Sequence, residues 1–286
     1  MVAWNRTAVD ARAAALCLCL DPRRRRHGAG DRLGAGAGAS VEFHDHRAYM
    51  PGDDLRHLDW NVLARSDQLV LRRYRQEVAP RVEVLLDTSA SMALTPQKME
   101  LAATLAALFT TLAQRAGDRV RLFAAGDAWR PLVGGGRGDW RPVLGDQPCA
   151  GAGGLATAPT PRLAPAGERI LVSDGLCREG GPAVVRRLGA EAGSICLVQV
   201  LSREERDPSV TGLLRLEDPE GGAADRVVDA AAIAAYRERL DRHQAGWQQA
   251  LAGRGIGLVT LRAEDGLEAA VAALVRRGLV RPEVGR

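Results

Sequence analysis

Asp87, Ser89 and Ser91 stand two residues apart where the apolar run Arg81-Val82-Glu83-Val84-Leu85-Leu86 ends. One carboxylate and two neutral hydroxyls suit a hard cation such as Mg²⁺, which takes oxygen ligands in an octahedron and usually keeps several waters. A plainer reading of the same residues is a Ser/Thr-rich loop that starts a helix, with Asp87 as its cap. A second apolar run, Arg169-Ile170-Leu171-Val172-Ser173, ends in Asp174-Gly175. In an open parallel sheet, ligands gather outside the carboxyl ends of the strands, so residues placed there line a crevice rather than a core. His44, Asp45, His46 and His57 offer no comparable set. Two of these histidines alternate as on a strand and the four show no ligand spacing, so they read as surface or packing residues and not as a zinc site.

The elements that must position these side chains follow from periodicity. Val82, Val84, Leu85 and Leu86 barely alternate with polar residues, which predicts a strand buried on both faces. Thr95-Pro96 opens a helix over 98–116, with Met99, Leu101, Leu105, Leu108 and Leu112 near helical spacing and Gly117 as its stop. Residues 119–124 alternate as a strand, with 129–133 returning antiparallel to it. Residues 134–165 are rich in Gly and Pro and predict a long irregular connection with one short helix, 140–144. Thereafter strands and helices alternate: strand 169–173, helix 182–191, strand 195–201, helix 230–251, strand 258–261 and helix 267–276. That alternation predicts a doubly wound, mostly parallel α/β sheet with right-handed crossovers. Residues 211–229 read as a hairpin inserted before the long helix. Towards the N-terminus, 8–20 reads as a helix, 28–40 as a Gly-rich linker, and 68–78 as a half-buried strand at a sheet margin. The expected division is 1–40 as helix and linker, 41–80 as an extension packed on the main domain, and 81–286 as the sheet domain.

Composition narrows the function classes. The 286 residues are 46% hydrophobic but only 4% aromatic, so the core is built from Ala, Leu and Val. The net charge of +4 comes from arginine, since Lys98 is the only lysine. Without clustered aromatics that mild basicity does not point to nucleic acid, and Arg23 to Arg26 read as cations beyond a helix C-terminus, complementing its dipole. Five scattered cysteines without Cys-x-x-Cys spacing fit reduced packing residues in the cytoplasm. No run approaches the ~20 apolar residues of a membrane span.

The segment Arg47-x-Tyr49-x-Pro51-Gly52-Asp53-Asp54-x-Arg56-x-x-Asp59-Trp60 places three acids among Arg47, Arg56 and Arg65 around a turn. Asp53 or Asp54 is a natural N-cap for a short helix bearing Leu55, Leu58, Val62 and Leu63. The charges predict either a compensated ion-pair network or a surface aimed at a partner. The reading preferred here is a structural clasp that docks the N-terminal segment on the sheet domain with Trp60 buried, so that truncating Trp60 would cost roughly 3–5 kcal/mol.

This motif, followed by an Asp-x-Ser-x-Ser strand end, resembles the bacterial domain of unknown function 58 family from about Val41 to Leu279, whose members carry a von Willebrand factor A-like fold. Asp-x-Ser-x-Ser is similar to the first element of the metal-ion-dependent adhesion site of such domains, and Ser173-Asp174-Gly175 to its third. The resemblance implies Mg²⁺ or Mn²⁺ at Asp87, Ser89, Ser91 and Asp174. Adhesion-site domains commonly carry a threonine directly after two glycines; here Leu155 follows Gly153-Gly154 and Thr157 comes two residues later, which leaves the role of Thr157 open. The resemblance further implies a non-enzymatic module, partner of a MoxR-type AAA ATPase or its client in protein assembly or maturation. Two other functions compete. One is a metal-independent scaffold of the same fold. The other is a hydrolase of aspartic type, because Leu85-Leu86-Asp87-Thr88-Ser89-Ala90 resembles the opening of that class; its chemistry needs two carboxylates sharing a proton on β-rich lobes, whereas here Ser89 replaces the glycine and a long helix follows.

Overall fold

The computed structural model describes residues 4–20, 41–51, 53–76, 80–132, 139–151, 155, 158–219 and 221–283. Thr157 and Arg23 to Arg26 lie outside the described residues. In chain order the strands are β1 (Leu16–Leu18), β2 (Val41–Ala48), β3 (Val70–Gln76), β4 (Arg81–Asp87), β5 (Arg119–Ala125), β6 (Trp129–Pro131), β7 (Glu168–Ser173), β8 (Ser194–Leu201), β9 (Gly212–Glu217), β10 (Ala223–Val228), β11 (Gly257–Arg262) and β12 (Val280–Pro282). The chain divides into two units, Met1–Arg25 with Arg81–Arg286, and Arg26–Pro80.

The larger unit is a mixed α/β structure around a six-stranded sheet of order β11-β8-β7-β4-β5-β6. All neighbours in it are parallel except β6, which returns antiparallel to β5. Successive side chains of a strand point to opposite faces, and the two apolar cores follow that rule. Val82, Val84 and Leu86 of β4 join one core with the Pro96–Arg115 and Gly266–Arg277 helices, while Leu85 joins the other with the Gly180–Leu188 and Ala230–Leu251 helices. Helices therefore cover both faces, as the alternating pattern predicts. β5 lies on one side of β4 and β7 on the other, so the chain reverses its direction of travel across the sheet at β4. The C-terminal end of β4 is thus at a topological switch point, where open α/β sheets bind ligands.

The Pro96–Arg115 helix has the cap predicted for it: the Thr95 hydroxyl accepts from Lys98 N at 3.3 Å, and Pro96 opens the first turn. Gly117 follows with φ 79°, the left-handed conformation expected just beyond a helix end. Nearly every side of this helix is buried, including Lys98.

The N-terminal segment differs from expectation. Helix is confined to Arg6–Ala13, and Leu16–Leu18 is a strand, β1, paired antiparallel with β12 near the other end of the chain. This apolar run carries no period long enough to decide between helix and strand, and the pairing with Val280–Pro282 decides it. Asn5 N donates to Thr104 Oγ1 at 3.2 Å, which fixes the start of that first helix on the Pro96–Arg115 helix. The N-terminal segment thus belongs to the sheet unit through its own contacts.

Within the smaller unit β2 and β3 form an antiparallel pair with an irregularity between Phe43 and Asp45. Asp54 caps a short 3-10 turn, Leu55–His57, and Asp59 caps the Trp60–Ser66 helix by accepting from Asn61 N and Val62 N. Asp59 is buried and its carboxylate lies 2.8 Å from His46 Nε2. Asp54 pairs with Arg56 in the open, at 2.6 Å. The acids of the motif therefore serve as caps and ion-pair partners. Trp60, however, is 62% exposed, which corrects the expectation that it is buried. Asp59 takes the inward position as cap, and Trp60, the first residue of the helix, is left facing solvent; the truncation cost of a buried aromatic does not apply to it.

Candidate functional site

Asp87 closes β4 and Asp174 follows β7, its parallel neighbour, so the two carboxylates stand at the ends of adjacent central strands. Both are almost fully buried, as are Ser89 and Ser173. Asp87 is held by neutral donors: Ser89 N–H at 2.9 Å on Oδ1 and the Ser173 hydroxyl at 2.6 Å on Oδ2. Among the described residues it has no ion pair. Burial, and then the charge of Asp174, push its carboxyl up to about 6. Ser89 Oγ and Ser91 Oγ are 3.1 Å apart.

Asp174 is engaged differently. Its Oδ1 accepts from Leu176 N at 3.0 Å, and its Oδ2 accepts from Lys98 Nζ at 2.8 Å. The same ammonium donates to Glu205 Oε1 at 2.6 Å and to the Ser91 carbonyl at 2.9 Å. Burial alone pulls the Lys98 ammonium down, but the charges of Asp174 and Glu205 outweigh it and hold it above its ordinary value. Glu205 is placed by a capping box, its Oε2 accepting from Ser202 N at 2.7 Å and from the Ser202 hydroxyl at 2.9 Å. Tyr236 OH, from the Ala230–Leu251 helix, donates to the Glu205 carbonyl.

The Ser-Asp-Gly turn is locked behind the site. Gly175 has φ 64°, and a Cβ there would lie 3.0 Å from Leu197 Cδ2 and 3.3 Å from Trp247 Nε1. Its carbonyl accepts from Trp247 Nε1 at 2.9 Å and lies 2.6 Å from His243 Nε2. Only glycine combines the left-handed backbone with that close approach.

These groups open into a cavity of 660 Å³, with Asp87, Ser89, Ser91, Asp174 and Glu205 in its wall and, among its lining, the exposed Glu217 at the end of β9 and Asp218 after it, the latter paired with Arg178 at 3.4 Å. Leu155, buried, also lines it. Cys177 is a further lining residue, and burial pushes its thiol up to about 12. Among the described residues no group of three or more His, Cys, Asp or Glu is placed to hold a metal ion, so a cation here would depend on the serine hydroxyls beside the carboxylates.

The donor set fits a small hard cation. The Ser89 and Ser91 hydroxyls hydrogen-bond to each other at 3.1 Å, which holds both neutral oxygens together at the cavity wall. Asp87 supplies a buried carboxylate that, among the described residues, has no ion-pair partner. Sequence reasoning identified Asp87, Ser89, Ser91 and Asp174, which the fold brings together; it missed Ser173, Lys98 and Glu205. Ser173 was within reach, since it precedes Asp174 on a recognised strand end. Lys98 carried a signal as well, being the single lysine of the chain. Glu205 carried none.

A parallel α/β sheet with an acid-and-hydroxyl crevice at its switch point is the class the fold and the site define. The chain belongs to the family described as Protein of unknown function DUF58, which matches residues 45–249. Among curated relatives, an uncharacterized protein of Mycobacterium tuberculosis and one of Mycobacterium bovis are each 26% identical over 250 residues, covering 82% of this chain and 78% of theirs. Among solved structures, a conserved hypothetical protein BatB from Bacteroides thetaiotaomicron aligns with TM-score 0.38 and 16% identity over 70% of this chain and 97% of its own. An aerotolerance-related membrane protein from Bacteroides fragilis, solved with multiple mutations to serines, aligns with TM-score 0.32 and 13% identity over 69% and 100%. At those scores neither structure bears on fold or function. No helix among the described residues is long and apolar enough to cross a membrane.

Proposed function

We propose that this chain is a non-enzymatic, divalent-cation-dependent protein-interaction module with a von Willebrand factor A-like fold, acting in the cytoplasm as partner of a MoxR-type AAA ATPase or of its client. The observation that supports the reading is Asp87, a buried carboxylate with neutral donors, on the same cavity as two serine hydroxyls that hydrogen-bond to each other. Asp87 and Asp174 supply charge, Ser89 and Ser91 supply neutral oxygens, and Ser173 with the Ser89 amide keeps Asp87 aimed. When bound, Mg²⁺ or Mn²⁺ supplies a coordination position that an Asp or Glu of the partner fills. The ATPase as partner rests on the family resemblance.

A metal-independent scaffold is the second reading, favoured by the Lys98 ammonium that already balances Asp174. An aspartic-type hydrolase has less support, because one of its two carboxylates would be the one engaged by that ammonium rather than sharing a proton with the other. Pull-downs with the parent and Asp87→Ala, each with and without chelator, separate these. The proposal expects recovery of the ATPase with the parent in the presence of the cation and loss in the other three arms; equal recovery in all four removes the metal face from the interface.

A further inference from the structure

Lys98 is anomalous in three independent ways. It is the only lysine in a chain whose 39 basic side chains are otherwise arginine. It occupies the first turn of the Pro96–Arg115 helix, where the helix dipole disfavours a cation. Its side chain is 0% exposed. The geometry accounts for the choice of residue. An ammonium has three N–H donors, and three acceptors surround Lys98 Nζ: Ser91 O at 2.9 Å, Asp174 Oδ2 at 2.8 Å and Glu205 Oε1 at 2.6 Å. A planar guanidinium with five donors would not fit three converging acceptors in a closed site.

We propose that Lys98 is a tethered cation that positions Asp174 and the Ser91 loop and sets the charge that the site offers to a metal. The inference rests on the divalent-cation reading above and deepens it. Asp87, Asp174 and Glu205 against one ammonium leave a net charge of −2 at the base of the cavity, matched by one divalent ion. Removing the ammonium makes it −3 and favours a trivalent ion over a divalent one. Glu205 is the compensating half of this device: it shares the ammonium with Asp174, so Lys98 is engaged by both carboxylates and one of their two charges remains uncompensated. Because Coulomb energy scales with the product of the charges and rises in a buried site, the effect of Lys98 must appear as a change in selectivity, which a purely structural lysine would not produce.

The experiment compares Mn²⁺ binding by calorimetry with Tb³⁺ binding by luminescence in the full chain, in Lys98→Met, and in Lys98→Met/Glu205→Gln, which returns the net charge to −2. Expected is a rise in the Tb³⁺-to-Mn²⁺ affinity ratio of about tenfold or more in Lys98→Met, and its return to near the parent's ratio in the double variant. An unchanged ratio in Lys98→Met, with the parent binding Mn²⁺, overturns the role of Lys98 alone; a parent that binds neither ion overturns the divalent-cation reading and this inference with it. Should Lys98→Met fail to fold, the parent carries the test, since ¹⁵N-lysine labelling gives one side-chain ammonium signal. That signal shifts on saturation with Mg²⁺ if Lys98 borders the ion, and an unmoved signal alongside calorimetric binding overturns the proposal.

Discussion

Asp87→Asn is expected to fold, to melt no lower than the parent in chelator, and to lose all stabilisation by Mg²⁺ or Mn²⁺. In the metal-free parent Asp87 is a buried charge with neutral donors and a second carboxylate nearby, so the folded state carries its desolvation without a compensating cation. Asparagine keeps the shape and the acceptor for Ser89 N–H, and its amide can donate to Ser173 Oγ. Relief of the charge is worth about 1–3 kcal/mol, the range set by the upward displacement of the carboxyl. The parent should instead gain about 2.7 kcal/mol from the ion at a hundredfold excess over its dissociation constant. Urea unfolding with and without chelator measures both. A metal-free variant that loses several kcal/mol would show that Asp87 serves as a structural cap and not as a ligand held ready.

The largest loss of stability is expected from Arg169→Met, away from the metal crevice. Arg169 is buried in β7, and its guanidinium donates to Glu83 Oε2 at 3.0 Å, to Leu188 O and Ala190 O, and to Ala164 O at 2.9 Å. Glu83 in β4 is fully buried, accepts Ala164 N at 2.8 Å and is also paired with Arg121. Removing Arg169 strands much of that charge and leaves three carbonyls without their donor, which costs roughly 3–5 kcal/mol. The double variant Glu83→Gln/Arg169→Met should recover part of this, since no uncompensated carboxylate remains. Denaturant midpoints for the two variants check it, and a single-variant loss below about 1 kcal/mol would contradict the buried-pair account.

The sheet was legible because its central strands are near-continuous apolar runs bounded by Gly, Pro and acid residues, and because Thr95-Pro96 marks a helix start with a physical cap. Asp87 and Asp174 were legible for a related reason: an apolar strand that stops at a carboxylate puts that carboxylate at the strand end. What escaped was set by partners distant in sequence. Lys98 and Glu205 meet across 107 positions, and no local pattern announces their pairing. Leu16–Leu18 became a strand through Val280–Pro282. Glu83 and Arg169 are charged residues inside buried strands, and each is tolerated because it compensates the other across 86 positions. Trp60 shows the converse, a large aromatic beside a buried cap that is itself left in water.

Calorimetric titration of chelator-stripped protein with Mg²⁺ and with Mn²⁺, followed by thermal melts of the same samples, tests the central claim most directly. The account predicts saturable heat for a single site and a raised melting temperature with either ion, both absent in Asp87→Asn. No heat at millimolar ion, together with melting curves that superimpose with and without it, would contradict the claim.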